Sequence, residues 1–476
     1  MPHIAIVGAG IAGLNAALTL HDAGLSYTIY EASNHIGGRM HSDTTTWGGE
    51  MVTELCGEFI DSDHNVLHGL IKRFGLQTVN LEHKGVRREQ TITYLHNHYR
   101  SAEEIAEAFQ PIAPIIQQQF TEAGFPTTYT SYTNEGYRLD HLSAYEWIER
   151  YVSGGHHSLA GHLLETSCRG FYGLETKEQS ALNLIYMYAP RVSKGQLAPS
   201  APMQGTVKIK GGNQLLPLAI ARSLPQERLH LQHRLMSVRR NHDNTITLSF
   251  TTPHGPLDVT CDHAILALPF SALRHVDYSQ AGFDALKQTA IQQLRYGTIS
   301  KLFLQFNTRY WYNDGPWPRT HSDFFITDLD IQVLWDGAIG QAGTSGILVD
   351  YMGGSFGAAY SPPASYTTTR DSEQIQQYAH RSLEQLEHIF PGISPHYTGV
   401  AALSYPTGDP YLQGSYSCWS VGQYTLFAGY ERVPQGPIHF AGEHCSLEMQ
   451  GYMEGAAREG ARAAREILQD FALPMP

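Results

Sequence analysis

The sequence has few cysteines, no long apolar run and no surplus of basic residues, and each shortage excludes a class of protein. No two cysteines form a CxxC pair, which argues against a disulfide framework and a zinc ribbon. No run reaches the about 18 apolar residues that a membrane-spanning helix needs. The net charge of −13 offers no electrostatic footprint for nucleic acid or an anionic membrane. The five cysteines are odd in number and scattered, at Cys56, Cys168, Cys261, Cys418 and Cys445.

These absences predict a reduced, cytoplasmic protein without nucleic-acid or membrane partners. No secretory signal is expected before the first strand, which begins near His3. The 25 histidines include His96 and His98, and His156 and His157, but these lie in polar stretches without complementary ligands. We therefore expect solvated histidines and no metal site. A chain of 476 residues, 42% of them hydrophobic, predicts two or three domains around a large core.

Strand and helix patterns alternate near both ends of the chain. An apolar strand at 3–7, a glycine-rich loop, a helix at 14–23 and a strand at 27–30 form a βαβ beginning, which is typical of a parallel sheet. Helical patterns dominate from about 80 to 205, and 102–119 is the clearest of them. Further strands are predicted at 228–232, 245–250, 264–268, 300–306, 346–352 and 438–441, and further helices at 373–389 and 455–471.

The loop between the first strand and the first helix carries a nucleotide-binding signature. Gly8, Gly10 and Gly13 form GxGxxG, in which the first glycine permits a tight turn and the second lets the backbone approach a pyrophosphate. The third lets the helix and strand approach closely, and the helix N-terminus faces the phosphates. Glu31, at the end of the second strand, is placed to accept hydrogen bonds from an adenosine ribose.

The residues that follow distinguish FAD from NAD. Gly37, Gly38 and Arg39 form a GGR segment shortly after Glu31, and this arrangement resembles the flavin amine oxidase family. The resemblance implies that the cofactor is FAD. It also implies that Arg39 places its planar donors against phosphate oxygens on the flavin side.

The C-terminal region carries a second strong resemblance. FAGEHC and GYMEGAAREGARAAREIL resemble the end of the monoamine oxidases and their bacterial relatives. By that resemblance Gly442 and Glu443 contact the linker region of FAD. The backbone N–H of Met453, at a helix start, faces the flavin O2 and stabilises charge on the reduced ring.

Weaker matches lie in the middle of the chain. KGGNQLL at 210–216 resembles the family's GG segment, and ILALP at 265–269 resembles the strand that closes the FAD domain. Leu235, in RLMSV, matches the position whose backbone brackets the adenine. The stretches at about 80–205 and 305–400 match poorly, and in the family they build the variable substrate domain.

The resemblance extends to the reaction centre. RYGTISKLFLQF resembles the segment with an active-site lysine, so Lys301 is expected to hold a water near flavin N5, where hydride arrives and dioxygen reacts. An ordinary strand lysine at a solvated surface is the alternative. Ser415, in QGSYS, stands where some monoamine oxidases bind flavin through a cysteine, which predicts noncovalent FAD. Tyr416 and Tyr452 match the aromatic residues that form a slot for a neutral amine.

The segment ELCGEFID bears on the substrate. Phe59 stands where many L-amino acid oxidases place a carboxylate-binding arginine, which favours primary amines or polyamines over amino acids. Arg87, Arg88 or Arg191 could supply that charge from another direction. Glu58 either meets a distal ammonium group of the substrate or is buried and hydrogen-bonded within the protein; both alternatives stay open.

The sequence thus predicts a Rossmann-like, doubly wound α/β domain for FAD, interleaved with an α+β substrate domain of sheet and helices. The FAD-binding domain is expected at 1–79, 205–296 and 405–476, and the substrate domain at 80–204 and 297–404. The predicted reaction is oxidative deamination of an amine. The imine is hydrolysed to a carbonyl compound and ammonia, and dioxygen is reduced to hydrogen peroxide. The alternative is an L-amino acid oxidase that yields a 2-oxo acid.

Two readings of other classes remain. GGSFG at 353–357 follows an apolar strand and matches the GxSxG nucleophile elbow of serine hydrolases, although no supporting histidine and aspartate can be chosen. A flavoprotein without oxidase activity is the second, because a fold does not fix a function. A homodimer is the expected assembly, since two-fold dimers are the commonest oligomers.

Overall fold

A computed structural model describes residues 2–81, 91–193, 196–197, 206–317 and 324–471 of the chain. Its strands are β1 (His3–Val7), β2 (Ser26–Tyr30), β3 (Ser42–Asp43), β4 (Thr53–Glu54), β5 (Thr78–Asn80), β6 (Ile92–Leu95), β7 (His98–Arg100), β8 (Val192–Ser193), β9 (Gln196–Leu197), β10 (Val207–Ile209), β11 (Leu229–His230), β12 (Arg234–Arg240), β13 (Ile246–Thr252), β14 (Gly255–Cys261), β15 (His263–Leu266), β16 (Asp277–Gln280), β17 (Arg295–Tyr296), β18 (Ser300–Phe306), β19 (Phe324–Thr327), β20 (Val333–Asp336), β21 (Gly346–Met352), β22 (Tyr366–Thr368), β23 (Tyr397–Ser404), β24 (Ser417–Cys418) and β25 (Ile438–Phe440). Its α-helices are α1 (Ile11–Asp22), α2 (Asn65–Arg73), α3 (Ala102–Phe109), α4 (Ala113–Ala123), α5 (Asn134–Asp140), α6 (Ala144–Tyr151), α7 (Leu159–Tyr172), α8 (Ala181–Tyr188), α9 (Leu215–Ser223), α10 (Phe270–Leu273), α11 (Ala285–Gln293), α12 (Gly354–Ala358), α13 (Glu373–Ile389), α14 (Gln423–Phe427) and α15 (Met453–Asp470).

A five-stranded parallel sheet, in the order β11-β2-β1-β15-β25, forms the base of the nucleotide-binding region. Side chains alternate between its faces, as the pleat of a strand requires. Ile4 and Ile6 face a core shared with helices α1, α9 and α15. Ala5 and Val7 face a second core that includes Leu248 of the antiparallel sheet β14-β13-β12-β16. The predicted fold class, a mixture of α/β and α+β parts, is confirmed.

Helices α1 and α15 lie against each other because small residues line their contact. A Cβ atom added at Gly460 would lie 2.0 Å from the carbonyl oxygen of Ala12, so only glycine fits there. The Asn15 side-chain amide donates to the carbonyl of Ala457 at 2.8 Å across the same contact. The first and last helices of the described chain are therefore joined directly.

An eight-stranded mixed sheet, in the order β22-β23-β18-β21-β20-β19-β6-β7, forms the second large layer. Its central strand β18 is buried along its whole length. In the register of this sheet Lys301 of β18 lies between Tyr351 of β21 and Ser404 of β23. Helix α13 covers one face, where Ile375 and Leu386 contact the core of the sheet.

Most predicted elements are present, with small shifts at their ends. The predicted helix at 102–119 is wrong as one element, because the chain forms α3 and α4 instead. Pro111 follows the C-cap residue Gln110 and lacks the N–H that the next helical hydrogen bond needs, while Pro114 is tolerated in the first turn of α4. The helix predicted at 373–389 is found over the same residues.

The two large sheets draw on different stretches of the chain. The parallel sheet uses strands within 1–79, 205–296 and 405–476, whereas the eight-stranded sheet uses strands within 80–204 and 297–404. The domain boundaries themselves stay a prediction. Within the described residues no helix is both long and apolar enough to cross a membrane.

Candidate active site

A cavity of about 1320 Å³ opens at the carboxyl ends of the parallel strands. It is lined by Val7 at the end of β1, Tyr30 at the end of β2 and Ala267 just after β15. From there it continues to Lys301 on the eight-stranded sheet. The crevice beyond the carboxyl ends of parallel strands is where open α/β sheets bind ligands. Its volume exceeds the about 300–1,000 Å³ of an ordinary small-molecule pocket, so it has room for a dinucleotide and a substrate together.

The three glycines of the GxGxxG loop have different surroundings. Gly8 has a φ of +107°, and a Cβ there would lie 2.6 Å from the carbonyl oxygen of Ala267. A Cβ at Gly13 would lie 1.9 Å from the carbonyl oxygen of Gly8. At Gly10 the nearest protein atom would be the Gly37 carbonyl oxygen, at 4.0 Å, so the space beside it belongs to the cavity. Gly8 and Gly13 are thus required by the fold, whereas Gly10 leaves room for a pyrophosphate.

Glu31 and Leu235 lie at the adenosine end predicted from the sequence, and both line the cavity. Oε2 of Glu31 accepts the backbone N–H of Ala9 at 2.7 Å, and Oε1 accepts the N–H and the hydroxyl of Ser33, each at 2.8 Å. These bonds fix the carboxylate beside the loop and leave acceptor capacity for a ribose hydroxyl. The contact of Leu235 with adenine stays a prediction.

Arg39 joins the GGR segment to the C-terminal loop. Its Nη1 donates to Oε1 of Glu443 and to the carbonyl of Ser415, each at 2.8 Å. Glu443 also accepts from the N–H and hydroxyl of Ser417 and from the N–H of Gly451. Burial raises the pKa of such a carboxyl, but Arg39 outweighs this effect and the pKa of Glu443 is lowered. With four donors on its two oxygens, Glu443 holds the loop in place, and its contact with the linker region of FAD stays a prediction.

The cavity is also lined by Gly38, Gly442 and Met453. Gly38 and Gly442 have positive φ angles of 54° and 144°, which suit glycine. Met453 begins α15 after Tyr452, an N-cap with extended backbone. The first N–H groups of this helix therefore face the cavity with the positive end of the helix dipole.

Lys301 is buried rather than solvated, which excludes the surface alternative. Its Nζ donates to the carbonyls of Glu54 at 3.1 Å and Cys56 at 2.8 Å, and to Oε2 of Glu58 at 2.9 Å. The ammonium also lies 5.4 Å from the ring centre of Trp335. Its three N–H donors thus have three protein acceptors, which leaves none for the predicted water near flavin N5. Lys301 itself lines the cavity.

Glu58 is the second part of this charge cluster. It accepts hydrogen bonds from Lys301, from Lys208 and, at 2.9 Å, from Nε1 of Trp335. Burial raises the pKa of a carboxyl, but the two lysines outweigh it and lower the pKa of Glu58 to about 2. Of the two alternatives, the contacts favour a Glu58 that is hydrogen-bonded within the protein. Phe59 lines the cavity beside it, with the Lys208 ammonium 5.4 Å from its ring centre.

An aromatic wall completes this end of the cavity, and most of it was missed from the sequence. The Trp335 ring lies 5.6 Å from Phe59, 5.2 Å from Tyr351 and 6.4 Å from Phe324 between ring centres. Trp335, Tyr351 and Phe324 come from β20, β21 and β19, in the stretch that matches the family poorly. The sequence signal that could have indicated Tyr351 is the alternation of its strand. Tyr351 of β21 is the antiparallel pairing partner of Lys301 on β18.

Tyr416 and Tyr452 both line the cavity, as the resemblance implies. The Tyr416 hydroxyl is 2.8 Å from that of Tyr351, and burial raises the pKa of Tyr416 well above its usual value. Tyr452 is 45% exposed, and its ring meets His64 edge-on at 5.4 Å between centres. Tyr416 thus forms a buried part of the cavity wall and Tyr452 an exposed part.

Ser415 is buried, and its hydroxyl donates to the carbonyl of Gly297 at 2.9 Å. Cys418 is buried too, and its sulfur accepts from the side-chain amide of Asn183 at 3.3 Å. Cys56 lines the cavity. All five cysteines are free.

Other residues singled out in the sequence lie apart from the site or outside the description. Arg87 and Arg88 lie outside the described residues, as does the side chain of Arg191. His96, His98 and His157 are exposed. His156 is not simply solvated: it stacks on Tyr145 at 4.0 Å between ring centres and pairs with Glu149 at 2.5 Å.

The GGSFG segment does lie between a strand and a short helix, β21 and α12. However, the positive φ angle belongs to Gly354, whereas a nucleophile elbow needs its strained turn at the serine. Ser355 is exposed, and its N–H donates to Oε1 of Glu175 at 2.7 Å. This arrangement does not support a serine hydrolase.

A dinucleotide cradle joined by one cavity to a buried lysine and an aromatic wall defines a cofactor-dependent oxidoreductase. A family model described as flavin containing amine oxidoreductase matches residues 11–468, and the chain belongs to that family.

Curated relatives carry the name L-amino-acid oxidase. The putative L-amino-acid oxidase YobN of Bacillus subtilis (strain 168) is 26% identical, with 98% of this chain and 94% of that protein covered. The L-amino-acid oxidase of Demansia vestigiata is 24% identical over 98% of this chain and 86% of that protein.

Solved structures of similar fold are amine oxidases. Cyclohexylamine oxidase from Brevibacterium oxydans IH-35A superposes with a TM-score of 0.80 at 20% identity, covering 99% of both chains. Wild-type putrescine oxidase bound to putrescine gives a TM-score of 0.80 at 20% identity, covering 98% of this chain and 99% of that one. At such identities these structures support the fold alone.

Proposed function

We propose that the chain is an FAD-dependent oxidase that deaminates a primary amine with an apolar or aromatic body. The neutral amine loses a hydride from the carbon that bears nitrogen, the resulting iminium ion loses a proton, and water hydrolyses the imine to a carbonyl compound and ammonia. FAD supplies the hydride acceptor, and dioxygen regenerates it with release of hydrogen peroxide. The observation that carries this proposal is the continuous cavity from the GxGxxG loop to Lys301.

The residues at the nucleotide end fit FAD. Gly10 leaves the pyrophosphate space open, and Glu31 is held where it can accept from a ribose. Arg39 is fixed by Glu443 with its guanidinium at the cavity wall, and the first N–H groups of α15 would be available to hold the oxygens of a bound flavin. The same geometry supports the division into an FAD-binding and a substrate domain.

At the reaction end, each residue has a distinct physical task. Tyr416 and Tyr452 offer uncharged ring faces, which favour a neutral amine nitrogen over an ammonium ion held by carboxylates. Lys301 and Lys208 share the carboxylate of Glu58, and the buried Glu54 beside them has a pKa raised by burial to about 7, so the cluster carries excess positive charge while Glu54 is protonated. That charge stabilises negative charge that develops there during electron transfer to dioxygen. Tyr351 fixes the Tyr416 hydroxyl.

The cofactor is proposed to be noncovalent. Ser415 replaces the tethering cysteine of some monoamine oxidases, and its hydroxyl is engaged by Gly297. Cys418 is buried and does not line the cavity. Cys56 does line it, so a Cys56→Ser variant is the matched control for flavin release.

The lining residues favour simple amines over amino acids. Among the described residues, the arginines that line the cavity are Arg39 and Arg234, and both lie toward the nucleotide end. Glu58 is already paired with two lysines, which argues against Glu58 as the partner of a distal ammonium group. The aromatic wall around Trp335 fits an apolar substrate body.

An L-amino acid oxidase is the second candidate, and the curated relatives favour it. In that case the carboxylate would be held by the excess charge at Lys301, or by Arg87, Arg88 or Arg191. The product would be a 2-oxo acid with ammonia and hydrogen peroxide.

A peroxide-coupled screen of matched pairs separates the two candidates. Each amino acid is compared with its decarboxylated amine: phenylalanine with phenylethylamine, tyrosine with tyramine, and tryptophan with tryptamine. Putrescine and the other L-amino acids extend the screen, and Gly10→Ala serves as the flavin-free control. We expect peroxide from the amines. Turnover of amino acids but not of their amines would refute the amine proposal, and anaerobic flavin bleaching without aerobic peroxide would refute the oxidase assignment.

A further inference from the structure

A group of metal-binding side chains lies at the opposite end of the parallel sheet from the cavity. His263 begins β15, whereas the cavity borders the residues after that strand. His439 lies on the adjacent strand β25, opposite Ile265. Because side chains two positions apart share a face, His263 and His439 project from the same face of the sheet. Their ring centres are 5.7 Å apart.

Helix α15 covers this face and supplies two carboxylates. Glu466 and Asp470 are four residues apart, so they lie on one side of the helix. A carboxylate oxygen of Asp470 and one ring nitrogen from each histidine lie within 4.8 Å of one another. Asp470 is exposed and its side chain is free to adjust toward an ion, whereas the histidines are fixed on strands.

The hydrogen bonds of the histidines leave their ligand atoms without partners. Nδ1 of His439 donates to Oε2 of Glu466 at 2.9 Å, so Nε2 is the ring nitrogen left to bind an ion. His439 is 97% buried, and its Nε2 has no hydrogen-bond partner, nor has Nδ1 of His263. Unpaired buried polar atoms are costly, and a histidine held by a carboxylate through its other nitrogen is the usual arrangement at a zinc site.

We propose that His263, His439 and Asp470 bind a divalent transition-metal ion, Zn²⁺ by the chemistry of the ligands. Two imidazoles and one carboxylate are a typical zinc ligand set, and water completes a tetrahedron. Glu466 would fix the orientation of the His439 ring through its hydrogen bond with Nδ1. An ion here would tie the end of α15 to the sheet, and its role would be structural, since the cavity lies at the other end of the strands.

The test uses the untagged, flavin-loaded enzyme after removal of metals with EDTA. Zn²⁺ is added as its chloride, and binding is followed by calorimetry, by metal analysis after dialysis and by the melting temperature. We expect one Zn²⁺ per chain and a higher melting temperature. Cobalt(II) in place of Zn²⁺ should give the visible absorption of a tetrahedral site.

The variants separate this site from surface histidines. Asp470→Asn and His263→Gln should each weaken Zn²⁺ binding at least tenfold and abolish the rise in melting temperature. Both are expected to keep the flavin spectrum, because neither residue borders the cavity. Asp258→Asn removes an exposed carboxylate on β14 and should change nothing. Absence of Zn²⁺ binding in the parent enzyme, or binding that both variants leave intact, would overturn the proposal.

Discussion

The charge cluster at Glu58 allows a quantitative prediction. Replacing Glu58 with Gln keeps the shape but leaves the ammonium groups of Lys208 and Lys301 without their counter-ion. The pKa of Glu58 is lowered from 4.5 to about 2, and at about 1.36 kcal/mol per unit this corresponds to about 3 kcal/mol of stability at pH 7. The carboxylate is 5% exposed, so solvent screening reduces this value little. Breaking one side of a buried ion pair usually costs a similar amount.

The assay is thermal and urea unfolding of parent and Glu58→Gln proteins at equal flavin loading. An unfolding entropy of about 2.1 cal/mol/K per residue gives about 1 kcal/mol/K for a chain of 476 residues. A loss of about 3 kcal/mol therefore lowers the melting temperature by about 3 °C. The control is Glu107→Gln, which removes an exposed carboxylate from α3 and should stay within about 0.5 kcal/mol of the parent.

The sign of the pH dependence provides a second check on the same pair. A carboxyl whose pKa is lower in the folded state stabilises the protein above its unfolded pKa, and that stability disappears as the pH falls through the folded pKa. The difference between parent and Glu58→Gln should therefore shrink between about pH 4.5 and 2. Near pH 7 the neighbouring Glu54, whose pKa is about 7 and which interacts with Glu58, adds a second pH dependence. Equal stability of the two proteins at pH 7 would show that the reasoning is wrong.

Three further predictions concern the cofactor and the reaction. Gly10→Ala should fold normally yet lose FAD, measured by the ratio of flavin to protein absorbance, and a yellow Gly10→Ala protein would contradict this. Gly13→Ala should instead destabilise the fold, because its Cβ would collide with the carbonyl oxygen of Gly8. Lys301→Met should lower turnover about 100-fold while FAD stays bound, and an unchanged rate would remove the lysine from the reaction. Acid precipitation should release intact FAD into the supernatant, because Ser415 cannot tether it; a yellow pellet would contradict noncovalent binding.

The glycine-rich loop could be predicted because its contacts lie within one short stretch of the chain. The turn at Gly8, the open space at Gly10 and the close packing at Gly13 all follow from one strand, one loop and one helix. Glu31 could be predicted in the same way, because it comes immediately after the end of β2. Short-range geometry of this kind is carried by consecutive residues, so the pattern alone indicates the cofactor site.

The substrate end could not be predicted in the same way. Lys208 and Trp335 meet Glu58 only because β10 and β20 are brought beside the segment after β4. Nothing in the spacing of these residues indicates that contact. The choice between a substrate-binding and an internally paired Glu58 was therefore open until the structure placed both lysines on it.

The histidines also show that closeness in the sequence does not indicate closeness in the structure. His96 and His98 are close together in the sequence, as metal ligands often are, but both are exposed. His263 and His439 are far apart in the chain and come together only through the pairing of β15 with β25. The sequence therefore predicted no metal site.

The direct contact between α1 and α15 has a consequence for biosynthesis. The loop at Gly10 leaves the ribosome early, but Glu443 and Met453, which complete the cradle, are made only after about 440 further residues. Gly460 must then reach Ala12 before the two helices can join. The first strand and helix are thus complete long before the α15 segment that packs on them has emerged. Under the proposed function we expect flavin capture to follow synthesis of that segment, and chains interrupted before it to be colourless.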